Sequence, residues 1–148
     1  MDHRKKGWGI IKINKKRRLM SDKELKYYLD LIKQEQKLKN KELFGLAVHK
    51  GEVIGEVKVV KSKDMNKNKI FDLKNKILVT EMTKPEIVPF LKGCLGIITD
   101  EGGMLCHASI VAREFNLPCI VGTKNATKVL KDGQKVKLDA NTGKIIIL

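Results

Sequence analysis

The residues best suited to chemistry lie in one stretch, 96–122, which reads GIITDEGGMLCHASIVAREFNLPCIVG. It sets a histidine, His107, directly after a cysteine, Cys106, and a few residues beyond a glycine pair, Gly102 and Gly103. An apolar run at 97–99 leads into the acidic, glycine-rich turn Asp100-Glu101-Gly102-Gly103. Ala108, Val111, Ala112 and Phe115 then recur at helical spacing. Pro118 requires that helix to have ended before it. His107 therefore falls at or near the first turn of a helix that follows a strand, the place where open α/β folds meet their ligands.

A histidine so placed has a definite chemistry available. Unpaired N–H groups of the first turn and the positive end of the helix dipole favour the neutral imidazole, whose free nitrogen is a nucleophile. The same field stabilises a dianionic group once it is attached. Gly102 and Gly103 let the backbone approach an anion with no side chain in the way. Attack by a ring nitrogen on phosphorus would divide one awkward transfer into two easier ones. On the residues alone two other readings stay open. His107 also suits a helix cap or a packed core residue. Cys106 is a rival nucleophile, because a thiolate at a helix start is activated by the same dipole, although no base or orienting Asn or Asp can be assigned to it. His3, in a basic tail, and His49, before a glycine turn, have no such setting and take surface roles.

The elements that must position these groups follow from periodicity and punctuation. Ser21 followed by Glu24 is a capping-box signature, and Leu25, Tyr28, Leu29 and Ile32 recur at helical spacing, so an amphipathic helix is predicted over 21–39. Its apolar stripe needs a partner surface, in its own domain or in a neighbouring one. Residues 1–20 show only basic charge and a short apolar group at Trp8, Ile10, Ile11 and Ile13. From Leu43 onward short β-rich runs alternate with glycine, which marks a main domain over 43–148 after an extension at 1–42. Strands are predicted near 53–60, 77–80, 95–99, 119–121, 135–139 and 144–148. A short helix is expected after Pro85 to about Lys92, and a stronger one near His107. Strand, helix, strand order with near-continuous apolar strands predicts an α/β sandwich with parallel pairs and hairpin material at its ends.

Composition narrows the function classes. No apolar run approaches the ~20 residues of a membrane span, and the N-terminus is too charged for a secretory leader, so a soluble, cytoplasmic protein with no membrane partner is expected. Cys94, Cys106 and Cys119 fit no zinc or disulfide framework, which suits reduced thiols and no bound metal. The net charge is +14, and residues 1–42 carry 14 Lys/Arg against 6 Asp/Glu. Yet the lysines are scattered among acids, with one tight cluster at Lys15, Lys16, Arg17 and Arg18, and aromatics for base stacking are few. A solvated surface explains the charge better than a nucleic-acid site.

These residues resemble the phosphohistidine swivelling domain of phosphoenolpyruvate-utilising enzymes, a family that includes phosphoenolpyruvate synthase, pyruvate phosphate dikinase, rifampin phosphotransferase and the sugar-transport enzyme I. The likeness rests on GGMLCHASIVARE at 102–114, the leucine-proline step and CIVG ending at Gly122. GEVIGEVKVV at 51–60, ILVTEMTKP at 77–85, GIITDEGG ahead of the histidine, and the closing DG and DANTG segments follow in the family's order. The resemblance implies a swivelling β/β/α fold with an N-terminal helical extension. It also implies that His107 is transiently phosphorylated, with Gly102, Gly103, Cys106 and Arg113 around the phosphate. Arg113 would either contact that phosphate or brace the turn, and Thr83, in the family's T-x-P turn, would be structural.

The same resemblance implies that the domain shuttles phosphoryl between an ATP-grasp nucleotide site and a phosphoenolpyruvate, pyruvate or other acceptor site on partner domains or subunits. Magnesium and ATP or phosphoenolpyruvate are then expected in those partner sites, with no cofactor held by this chain. The sequence departs from the family at Leu105, where a threonine or serine is common two residues before the histidine, and at Lys76, where an acidic residue usually precedes the strand. No ATP-grasp domain or phosphoenolpyruvate-binding barrel occurs in the chain, so a subunit of a split enzyme or a fragment is expected. The rival from another class is a non-catalytic scaffold of the same fold that binds protein or nucleic acid through its basic N-terminus.

Overall fold

The computed structural model describes residues 8–13, 16–39, 41–66 and 68–148, and the side chains of 21–36, 41–66 and 68–148. The basic cluster at Lys15 to Arg18 and His3 therefore have side chains outside the described residues. The chain divides into two compact units, Met1–Lys39 and Asn40–Leu148.

In the first unit, strands β1 (Trp8–Ile13) and β2 (Lys16–Ser21) form an antiparallel hairpin, with Trp8 opposite Ser21 and Ile13 opposite Lys16. The lysines and arginines of β2 break the alternation that would have revealed it. Helix α1 (Asp22–Lys39) follows at once. The Ser21 N–H donates to Glu24 Oε2 at 3.0 Å, and the Glu24 N–H donates to Ser21 Oγ at 3.4 Å, which is the reciprocal capping box. Asp22 and Glu24 also set negative charge against the positive end of the helix. Of the apolar stripe, Leu25 is half-buried, whereas Tyr28, Leu29 and Ile32 stay exposed.

The second unit is an eight-stranded mixed sheet built from β3 (Glu42–Phe44), β4 (Leu46–His49), β5 (Glu52–Val59), β6 (Lys76–Thr80), β7 (Gly96–Thr99), β8 (Cys119–Val121), β9 (Lys135–Asp139) and β10 (Lys144–Ile147), in the order β3-β10-β9-β5-β6-β7-β8-β4. Strands β5 to β8 pair in parallel at its centre. Strands β9, β10 and β3 extend one side antiparallel, and β4 closes the other. Central strands are buried on both faces, as their unbroken apolar runs require. Ile77 and Val79 pack with Ile98, Ile120 and Leu138. Leu78 points the other way, with Ile97, Val111 and Ala112 of the layer that carries helix α2 (His107–Phe115). A 3-10 segment at Pro85–Phe90 lies where a short helix is predicted, and a four-residue helix α3 (Ala126–Val129) has no counterpart in the sequence reading.

Strands β3 and β4 stand at opposite ends of the sheet order yet are separated in sequence by Gly45 alone. One short segment thus joins both ends, and the sheet must curl until they meet. The Gly45 N–H donates to Gly143 O at 2.9 Å, and a Cβ at Gly45 would stand 2.6 Å from both Ile120 Cγ2 and Val121 O. Only glycine admits that approach. Among the described residues no helix is long and apolar enough to cross a membrane.

Candidate functional site

Parallel strands β6 and β7 end side by side, with Thr80 opposite Thr99. Each hands the chain to a turn held by its own threonine: Thr80 Oγ1 donates to Met82 O at 3.0 Å and Thr99 Oγ1 to Glu101 O at 2.6 Å. The two turns are tied together where the Glu101 N–H donates to Glu81 O at 3.0 Å. The first turn ends at Thr83 and the second runs on to His107. Their convergence sets Thr83 Oγ1 2.8 Å from His107 Nδ1.

His107 is the first residue of α2, half-buried, and Cys106 before it is extended, at φ −72 and ψ 164, with no side-chain capping bond. The ring lines an open pocket of about 250 Å3 bordered by Met82, Thr83, Glu101, Gly102 and Cys106. Gly102 sits at φ +122, and a Cβ there would come within 2.8 Å of Cys106 Sγ, so a side chain is excluded by both conformation and space. A Cβ at Gly103 would meet nothing within 4 Å. Asp100 does not face the pocket as a free carboxylate. It accepts the Thr127 N–H at 2.9 Å and the Thr127 hydroxyl, which fastens β7 to α3. Among the described residues no three His, Cys, Asp or Glu side chains gather to hold a metal ion.

Residues 71–143, which carry both turns and the histidine, match the family described as PEP-utilising enzyme, mobile domain. The chain belongs to that family. It is 47% identical over 113 residues to a probable phosphoenolpyruvate synthase of Methanothermobacter thermautotrophicus, covering 74% of this chain and 16% of that protein. It is 51% identical over 102 residues to a probable phosphoenolpyruvate synthase of Archaeoglobus fulgidus, covering 68% and 13%. A Bacillus subtilis protein named as the uncharacterized phosphotransferase YvkC is 36% identical over 115 residues, covering 78% and 14%. The chain thus spans well under a fifth of these relatives. A solved chain of Thermococcus kodakaraensis aconitase X shares the fold at TM-score 0.54 and 25% identity, over 72% of this chain and 98% of that one. A shared arrangement of strands does not by itself assign a function.

Within the mobile domain, Arg113 is exposed and its guanidinium donates to Met104 O at 3.0 Å, an oxygen that Ser109 Oγ also approaches at 2.7 Å. Arg113 and Ser109 together pin the loop between Gly103 and Cys106 onto α2. Ser109 is absent from the sequence reading because a buried serine in an apolar helical face carries no signal of its partner. Cys94 and Cys119 are buried, and burial pushes both thiols above the ordinary range, Cys119 the further of the two. Cys106 is half-buried and stands at the pocket. His49 is remote from this chemistry in sequence, and its Nε2 lies 2.9 Å from Oδ1 of Asn116, the left-handed residue that ends α2. Thr83, expected to be structural, contacts the histidine ring. The T-x-P spacing records the turn but not which side chain lies opposite it.

Proposed function

We propose that the domain is a phosphoryl carrier in which His107 Nε2 accepts the group at one partner site and delivers it at another. The observation that carries this reading is the 2.8 Å contact between Nδ1 and the Thr83 hydroxyl. A neutral ring that donates Nδ1–H to Thr83 keeps its lone pair on Nε2, the nitrogen left without a protein partner among the described residues. As Nε2 forms the N–P bond, the donor's P–O bond breaks and its electron pair leaves with the departing oxygen. On delivery an acceptor oxygen bonds phosphorus and the N–P pair returns to the ring.

The surroundings suit that exchange. Among the described residues the His107 and Ala108 N–H groups at the start of α2 have no protein acceptor, whereas the Ser109 N–H donates to Cys106 O at 3.1 Å, so two donors are open to an anion; Gly102 and Gly103 keep the approach clear, with Cys106 beside them. Arg113 acts on the phosphate's surroundings through the loop it pins. Exposed Met82 lines the histidine pocket, and Met104, Leu105 and Ile110, each within three residues of His107 in the chain, are exposed as well; such apolar surface is suited to being covered during transfer. Glu101 is the carboxylate at the pocket, a poor ligand set for magnesium. The ion, with ATP or phosphoenolpyruvate, is assigned to ATP-grasp and acceptor partner sites, and the domain to the cytoplasm. Labelling with either donor in the presence of the partner tests the reading. His107→Ala should abolish an acid-labile, base-stable label; a label that persists would overturn it in favour of another nucleophile such as Cys106, and a parent chain that takes no label would overturn it in favour of a non-catalytic role.

A further inference from the structure

We propose that a basin next to the histidine pocket is a second anion site, in which Lys61, Lys124 and Lys128 bind a phosphate chain such as a diphosphate. The basin has a volume of about 670 Å3 and shares Glu101 with the histidine pocket. Its lysines come from three different elements: Lys61 precedes the 3-10 turn after β5, Lys124 lies in the loop after β8, and Lys128 is in α3. Among the described residues none of the three forms an ion pair, whereas Lys58, Lys69, Lys137 and Lys144 all do. Two of the three carboxylates at its wall are held by hydrogen-bond donors beside them. Glu81 accepts the Ser62 N–H at 2.7 Å and the Ser62 hydroxyl at 3.0 Å, and Asp100 accepts both Thr127 donors.

Lys124 adds an independent observation. It holds φ +73, a left-handed conformation otherwise taken among the described non-glycine residues by Asn75 and Asn116. Asparagine enters that region readily and lysine does not. The backbone of Lys124 is fixed there by its N–H bond to Asp100 O at 2.9 Å, which anchors the root of the side chain beside the basin. A chain of linked phosphates fits such a site better than a single carboxylate, because lysine recognises phosphate as a point charge and several separated charges match several separated anions. A role for this site in holding the rest of a phosphoanhydride donor while His107 takes its terminal group rests on the carrier reading. The binding itself does not.

The test is a titration of the full chain with inorganic pyrophosphate, followed by backbone amide shifts. The expected result is saturable shifts at Lys124, Thr127 and Lys128, unchanged in His107→Ala. Each of Lys61→Gln, Lys124→Asn and Lys128→Gln should weaken binding about two- to fivefold, and the triple variant roughly tenfold or more. Lys124→Asn keeps a residue that tolerates the left-handed backbone, and an unaltered spectrum for the β6 and β7 amides confirms folding. Absence of saturable binding, shifts confined to 102–107, or a triple variant that binds as tightly as the parent would each overturn the proposal. Loss of binding in His107→Ala alone would overturn the separate site and leave the carrier reading intact.

Discussion

Thr83 Oγ1 and His107 Nδ1 lie 2.8 Å apart although 24 residues separate them in the chain. The contact exists because β6 and β7 are parallel neighbours whose turns leave from the same edge of the sheet. If it selects the tautomer, Thr83→Val should slow phosphorylation of His107 about three- to tenfold, the worth of one hydrogen bond, while Thr83→Ser restores most of the rate. Single-turnover labelling of the two variants makes the comparison, and equal rates would reduce Thr83 to packing.

The glycine pair separates into two roles. Gly102→Ala forces a side chain into a left-handed conformation and against Cys106 Sγ, so it should destabilise the fold by about 1–3 kcal/mol. Gly103→Ala meets open space and should change stability by less than about 0.5 kcal/mol. Denaturant unfolding measures both. A larger effect at Gly103 than at Gly102 would contradict the described turn.

Thiol chemistry should be confined to the histidine pocket. Burial raises the Cys94 and Cys119 thiols and removes them from solvent. Iodoacetamide at mildly alkaline pH should therefore modify Cys106 in the native protein, and the other two only after unfolding. Peptide mapping reads the sites, and native labelling of Cys119 would contradict the burial.

Glu81 makes stability sensitive to acid. The Ser62 N–H holds its carboxyl below the ordinary glutamate range; burial opposes this, and the Ser62 hydroxyl adds a further lowering. A group lowered in the folded state contributes stability that is present above its unfolded pKa and lost as pH falls through its folded one. Glu81→Gln should therefore flatten the decline of the melting temperature below about pH 4.5, near the unfolded carboxyl's range. An unchanged acid profile in that variant would sink this assignment.

Much of the site's placement is legible because it depends on local rules. Asp100 to Gly103 breaks the chain after an apolar strand, and the spacing of Ala108, Val111, Ala112 and Phe115 sets the face of α2, so a helix start at or near His107 follows from the residues alone. The same holds for α1, whose capping box names its first turn. What is not legible depends on partners distant in sequence. Strands β3 and β4 are three and four residues long and split by Gly45, too short for alternation to show, and they exist because two ends of one sheet meet there. Asp100 reads only as part of an acidic turn, and its tie to Thr127, 27 residues on, leaves no trace in the sequence. Ser109 and Thr83 are ordinary residues whose meaning lies wholly in what faces them.

The most direct measurement is the attachment point of the phosphoryl group, read by NMR as a coupling between phosphorus and a ring nitrogen in the labelled chain. The expected result is a single phosphorus signal coupled to Nε2 of His107, with Nδ1–H still hydrogen-bonded to Thr83. A phosphorus coupled to Nδ1, or carried on any other residue, would contradict the carrier mechanism built on that ring.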